Sequence, residues 1–332
     1  MLTLGLVVVL ILDEWNYQEQ SVTFDLEGNR LAATLILPKN HAPPYPVVVF
    51  VHGDGASPYD AHGYYSYFWN RLAGQGIASF SWDKAGVGGS GGNWLYQSME
   101  DRADEVIAAI DYLKTHAEVN ADAIGLMGFS QAGWVMPLVS ARSAYPDFMV
   151  SVSGAINWLE QGDYMTRNRL GKEGLSEMEI GQAIAENRAG LWVFEAESSY
   201  EDYLSVRDAS SEGTLLTRDR YEFAKLNYLS DAREGLKTVG SPFLAVFGAK
   251  DLNVDVAESA AVYQEILASS GHPDFTIKTF PNAQHSLLKA PYFRMAYPGV
   301  FFVLKIEVMG EAAFAPGALD YVTEWIVETV GE

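Results

Sequence analysis

Two serines in this chain stand in glycine-bearing turns of the kind that can present a hydroxyl nucleophile. Ser90 lies in VGGSGG and completes a literal G-x-S-x-G, whereas Ser130 lies in GFSQAG, where Ala132 replaces the last glycine. Letters alone do not separate them. A nucleophilic turn needs a buried strand before it and a helix after it, so that the hydroxyl projects at the carboxyl edge of a sheet. Ser130 directly follows the apolar run AIGLM and precedes a helical pattern starting at Gln131, with Gly128 and Ala132 as small neighbours on either side. Ser90 follows the polar, glycine-rich DKAGVG and precedes GGNWLYQ, which opens no helix, so a flexible loop is expected there. Ser130 is the candidate, and its bland alternative is a helix-capping serine.

A serine hydroxyl needs a base within hydrogen-bond reach and a carboxylate that holds the base in the right tautomer. Of six histidines, His285 follows the strand-like TIKTF, in NAQHS, and is the last in the chain, as the order serine, acid, histidine requires. His41 sits in a linker, His62 in a loop, His116 at a helix end and His272 before Pro273, none of them after a core strand. Asp251 follows FLAVFGAK at the carboxyl edge of the preceding strand and is the preferred acid. Asp255 in the same loop is its competitor, and either carboxylate could instead cap the helix of VAESAAVYQEIL. Acyl transfer also needs N–H donors aimed at a developing oxyanion: Gln131 qualifies by position, and Asp54 in VHGDGASP is the expected second. Gly53 and Gly55 let that backbone approach a substrate, and His52 reads as a side chain bracing the loop.

The elements that must position these residues follow from hydrophobic patterning. Gln20 to Pro38 reads as two strands turning at Glu27-Gly28-Asn29, and PVVVFVHG as a parallel strand buried on both faces. A helix at about Tyr65 to Gly74, a strand from Ile77 to Trp82, and an amphipathic helix from Ser98 to His116, with Asp101 completing a capping box, come next. The strand AIGLMG, a helix containing Pro137, and the strand FMVSVSG continue the alternation, so the class is α/β with a mostly parallel sheet flanked by helices. Residues 155–239 then interrupt it with a polar, helical stretch that includes a second capping box at Ser176 and Glu179. Strands in PFLAVFGAKD and FTIKTFPNAQH resume the sheet, and a helix from about Pro316 to Val330 ends it. GVFFVLKIEV (Gly299 to Val308) reads as strand without a place in the order. The expected organisation is an apolar segment at 1–19, a core at 20–154, a helical cap at 155–239 and a second core portion at 240–332.

Composition bounds the partners. With 332 residues, 48% hydrophobic and 13% aromatic, the chain can bury a substantial core. Its formal charge of −21 repels phosphate backbones and anionic lipid headgroups, so neither nucleic acid nor stable membrane insertion is expected, while a homo-oligomer is left open. The absence of cysteine removes disulfides, thiolate metal sites and a cysteine nucleophile. No histidine or carboxylate spacing calls for a metal, and no cofactor is expected. MLTLGLVVVLIL, too short to span a bilayer, reads as a strand or a leader remnant; a cytoplasmic location is favoured slightly over export.

VVVFVHGDG, SWDKAGVGGSGG, GLMGFSQAG, VFGAKDLNV and FPNAQHS, in this order, resemble the α/β-hydrolase fold serine esterases, in the branch near dienelactone hydrolases and the catalytic domains of prolyl oligopeptidases. The resemblance runs from about residue 20 to the end and implies a catalytic triad of Ser130, Asp251 and His285. It also implies that Ser90 belongs to a structural loop leaving a core strand. Ala132 departs from the usual glycine, and Asp54 stands where a neutral residue is common. A carboxylate facing the oxyanion would oppose catalysis, so the Asp54 side chain is expected to point away. The expected activity is hydrolysis of small-molecule carboxylic esters through an acyl-enzyme, with small to medium acyl chains. The alternatives are a serine peptidase or amidase on the same triad and a catalytically silent binding protein on the same fold. Aromatics in INWLEQGDYM, LWVF and SSYEDYL could line an apolar pocket or simply pack the cap.

Overall fold

The computed structural model describes residues 15–208, 215–293 and 300–331. The apolar run at residues 1–12 lies outside them. Eight strands among the described residues form one sheet: β1 (Tyr17–Leu26), β2 (Asn29–Pro38), β3 (Tyr45–Val51), β4 (Ala78–Trp82), β5 (Val119–Phe129), β6 (Met149–Val152), β7 (Phe243–Gly248) and β8 (Phe275–Phe280). Their order is β1-β2-β4-β3-β5-β6-β7-β8. β1 and β2 pair antiparallel, as do β2 and β4, and every pair from β4 to β8 is parallel. The first hairpin turns where expected, at Glu27 and Gly28, both with positive φ. β1 begins at Tyr17, ahead of the apolar pattern at Gln20, because Tyr17 is buried edge-on against Trp69 and stacked on Trp15.

Burial on both faces explains the unbroken apolar strands. Along β3, Val47, Val49 and Val51 enter one core and Val48 and Phe50 the other; Phe243, Ala245 and Phe247 of β7 alternate with Leu244 and Val246 in the same way. The first core is closed by α2 (Met99–Lys114), α3 (Ala132–Arg142) and α9 (Val256–Ser269), the second by α1 (Ser66–Gly74) and α11 (Ala318–Gly331). Between β6 and β7 the chain inserts α4 (Trp158–Glu173), α5 (Glu177–Ala189), α6 (Tyr200–Asp208), α7 (Arg218–Asn227) and α8 (Arg233–Leu236). Both expected capping boxes form, at Ser98 with Asp101 and at Ser176 with Glu179.

One expected strand is a helix. The part of GVFFVLKIEV that is described forms α10 (Val300–Met309). Its bulky and β-branched residues favour strand locally, but Phe302, Ile306 and Met309, spaced one turn apart, pack on the second core while Leu304 and Val308 face outward. Tyr67 also donates to the Ile306 carbonyl at 3.2 Å. Among the described residues no helix is long and apolar enough to cross a membrane.

The sheet is packed to the atom at Gly125 in β5, where an added Cβ would lie 2.2 Å from the Phe148 ring. Phe148 is buried and braced edge-on by Trp325. Gly125→Ala is expected to lower unfolding free energy by about 1–3 kcal/mol, the usual cost of overpacking, measured by urea denaturation. An unchanged midpoint would mean that the ring has room to shift.

Candidate active site

Because β5, β7 and β8 run parallel, the loops leaving them emerge on one edge of the sheet. Ser130 occupies the turn between β5 and α3 with φ +53, a left-handed conformation uncommon for a residue with a side chain. Backbone bonds hold it there: its N–H donates to Val152 at 2.9 Å, and its carbonyl accepts from Gly133 at 2.9 Å and Ala155 at 3.0 Å. The small-residue requirement at this turn extends from Gly128 and Ala132 to Gly133. A Cβ on Gly128 would meet Ala132 Cβ at 2.7 Å, and one on Gly133 would meet the Ala155 backbone at 2.5 Å. Ala132 fits at the elbow, and Gly133 is what lets α3 come against β6 and the strand exit.

Asp251 and His285 are brought together directly. Asp251 Oδ1 accepts from the backbone N–H groups of Asn253 (2.8 Å) and Val254 (3.1 Å), and Oδ2 lies 2.7 Å from His285 Nδ1. The carboxylate is fully buried and His285 keeps 19% of its side chain exposed. With an acceptor at Nδ1, that nitrogen carries the proton and Nε2 of the neutral ring is left as the acceptor. The His285 loop is pinned by Tyr64, which donates to the Ser286 carbonyl at 2.8 Å, and by Ala315, whose N–H donates to Leu287 at 2.8 Å. Asp255 caps α9 through Glu258 N–H and takes no part in the pair. Ser130 lies on the same edge beside Gly53, whose Cβ position would be 3.3 Å from Ser130 Cβ. No hydrogen bond joins the Ser130 hydroxyl to His285.

Ser90 sits elsewhere, in the loop leaving β4. Its hydroxyl donates to the Asp83 carbonyl at 2.7 Å and accepts from Ala32 N–H of β2 at 2.9 Å. The loop that was expected to be flexible is instead stitched to its neighbours. Its glycines serve close packing, since a Cβ on Gly88 would lie 2.1 Å from Asp83 Oδ2.

The backbone N–H groups of Gln131 and Asp54 find no acceptor among the described residues, whereas their side chains are fully engaged. The Asp54 carboxylate is held by both terminal nitrogens of Arg220 from α7, one of them at 2.9 Å, and lies a long 3.4 Å from Gln131 Nε2. Burial pushes the Asp54 carboxyl up, but the hydrogen bonds and charge of Arg220 outweigh it and hold the group below its ordinary range. Gln131 Oε1 in turn accepts from Arg102, whose other terminal nitrogen reaches the His52 carbonyl at 2.6 Å. Sequence reasoning missed Arg102 and Arg220. For Arg102 a signal existed: with Glu105 it falls on the buried stripe of α2, where charge is unusual. Nothing local marks Arg220.

His52 ties the loop after β3 to Trp82 and Tyr65. Its ring is buried, with Nε2 at 2.6 Å from the Trp82 carbonyl and Nδ1 at 3.1 Å from the Tyr65 hydroxyl. Burial pushes its pKa down to about 3. The unfolded chain therefore takes up this proton first as pH falls below about 6.5, so the stability from keeping His52 neutral is complete above that pH and lost toward about pH 3. The contribution changes by up to about 1.4 kcal/mol per pH unit in that window. Urea unfolding at about pH 7 and about pH 5 should show a shallower loss of stability in His52→Asn than in the wild type, whatever the variant's absolute stability. Equal slopes would assign acid sensitivity to other groups.

Compared with known families, residues 42–291 match the family described as serine aminopeptidase, S33. Curated protein sequences give no match at a significant level. Among solved structures, an esterase of Pyrococcus furiosus superposes with a TM-score of 0.56 at 16% identity, over 96% of this chain and 91% of that one. Est1E from Butyrivibrio proteoclasticus with ferulic acid bound gives 0.55 at 17% identity, over 92% and 96% of the two chains. The α/β hydrolase GrgF from a Penicillium species gives 0.59 at 15% identity, over 95% and 100%. Identities this low speak to the fold, which is that of the α/β hydrolases. The matched residues run from before β3 through the His285 loop, and on that match the chain belongs to the serine aminopeptidase S33 family of α/β hydrolases.

Proposed function

We propose that the protein is a serine carboxylesterase with Ser130 as nucleophile, His285 as general base and acid, and Asp251 as the group that orients His285. The observation that carries this reading is the Asp251–His285 hydrogen bond of 2.7 Å, on the strand edge where Ser130 is held at φ +53. In the first half-reaction Ser130 Oγ attacks the ester carbonyl while His285 Nε2 takes its proton. The carbonyl oxygen becomes an oxyanion that accepts from the N–H groups of Gln131 and Asp54. Collapse expels the alcohol, which receives the proton from His285, and leaves an acyl-Ser130 ester. Water then gives its proton to His285 and attacks that ester; the acid departs and Ser130 is reprotonated.

Residues 155–239 act as a cap over this site in the same reading. Tyr164 of α4 donates to the Asp251 carbonyl at 2.9 Å and Arg220 of α7 pairs with Asp54, so the insertion bears on both the acid loop and the oxyanion loop. Its aromatics divide. Phe194, Tyr200, Tyr203 and Tyr221 pack on one another as the insertion's own core, whereas Trp158 stacks on Trp134 of α3 at 5.3 Å and meets Phe223 at 5.9 Å. These contacts favour cap packing over pocket lining for most of these aromatics, and small to medium acyl chains remain part of the reading.

A peptidase or amidase on the same residues is the second reading, favoured by the description of the matched family. Both use the same chemistry and differ in leaving group. Nitrophenyl esters from acetate to palmitate, with nitroanilides of amino acids in parallel, should be turned over as esters with short chains preferred; faster nitroanilide cleavage would select the second reading. Ser130→Ala is expected to lose about four to six orders of magnitude in kcat/KM. Ser90→Ala is expected to keep its kinetic constants while losing about 1–2 kcal/mol of stability, because its hydroxyl bridges two backbone groups. Full turnover by Ser130→Ala would refute the assignment.

A further inference from the structure

Lys84, in the loop leaving β4, is almost fully buried, and its Nζ donates to two carbonyls of the oxyanion loop, Gly53 O and Gly55 O, each at 3.0 Å. The indole of Trp94 covers the ammonium at 4.4 Å. Gly53 O belongs to the same peptide unit as the Asp54 N–H. In a trans peptide the carbonyl and the N–H point in opposite directions, so a nitrogen fixed on Gly53 O turns the Asp54 N–H away from Lys84. Gly53 itself lies against Ser130. Arg102 does the corresponding work one peptide earlier: it holds the His52 carbonyl with one nitrogen and Gln131 Oε1 with another, spanning the two segments that carry the donors.

We propose that Lys84 is the positioning residue of the oxyanion site, orienting the Gly53–Asp54 peptide so that its N–H faces the carbonyl attacked by Ser130, with Arg102 setting the spacing to Gln131. This rests on the serine-hydrolase reading above and assigns to it residues outside the triad. A buried lysine is expensive unless its N–H groups are satisfied, and here they are spent on two backbone carbonyls of one short loop. Burial pushes the Lys84 ammonium well down from its ordinary range, as does Arg102, while Asp54 and Glu105 hold it up. Either form of the nitrogen carries N–H groups for two carbonyls, so the orientation does not depend on its charge.

The test compares wild type, Lys84→Met and Lys84→Gln, with active sites counted by burst titration so that misfolded protein does not enter kcat. Each is assayed for kcat and KM on a short-chain nitrophenyl ester, for affinity toward a trifluoromethyl ketone that forms a hemiketal oxyanion with Ser130, and for thermal stability. Lys84→Met is expected to lose about 10²-fold in kcat with little change in KM, and to lose affinity for the ketone in parallel. Lys84→Gln keeps an N–H donor for Gly53 O and should recover part of both. It also serves as the folded variant if Lys84→Met does not fold. Variants that lose thermal stability but keep kcat per active site and ketone affinity would overturn the proposal. Wild type that neither hydrolyses esters nor binds the ketone would instead overturn the hydrolase reading.

Discussion

A residue with a side chain held in left-handed backbone at the end of a buried strand is the constraint on which this molecule turns. Ser130 costs energy at φ +53, and it stays there because β5 and α3 are too close to allow another path. That closeness depends on Gly128 and Gly133, and on backbone bonds from Ser130 to β6 and to the segment after it. The parallel sheet converts this local strain into a site. Once β5, β7 and β8 point the same way, the loops carrying Ser130, Asp251 and His285 have to open on one edge.

What the sequence could reveal divides along the same line. Elements whose burial is set by their own residues are readable: the apolar runs of β3, β5 and β7 and the two capping boxes. The helix α10 was not, because FFVLKIEV has strand-like residues and its helical state is decided by packing against Tyr67 and the second core. The loop around Ser90 was misread in the opposite sense. A glycine-rich run predicts freedom, yet here the glycines allow Asp83 and Ala32 to come into contact with the chain. Asp54 shows a third kind of limit. Its carboxylate was expected to avoid the oxyanion, and the partner that occupies it, Arg220, is far away in sequence on an inserted helix.

Charged hydrogen bonding then ties the insertion, the loop after β3 and the turn at Ser130 into one unit. Arg220, Asp54, Gln131, Arg102 and the His52 carbonyl form a continuous chain of hydrogen bonds, and Lys84 holds the same loop from beneath. Burying Arg102 and Lys84 is costly, and they contribute little stability beyond an apolar packing of the same volume. Their value is geometric: a charged hydrogen-bonding network has few satisfactory arrangements, so it fixes where backbone N–H groups point. This is a sound reason for a chain to keep lysine and arginine in its interior next to the proposed oxyanion site.

The strained serine at the end of β5, and not the one in the literal motif, is the proposed nucleophile. The direct measurement is to treat native protein with a fluorophosphonate and locate the adduct by peptide mass spectrometry. A single adduct on Ser130, abolished in heat-unfolded protein and in Ser130→Ala, is the result predicted. An adduct on Ser90, or none on the folded chain, would contradict it.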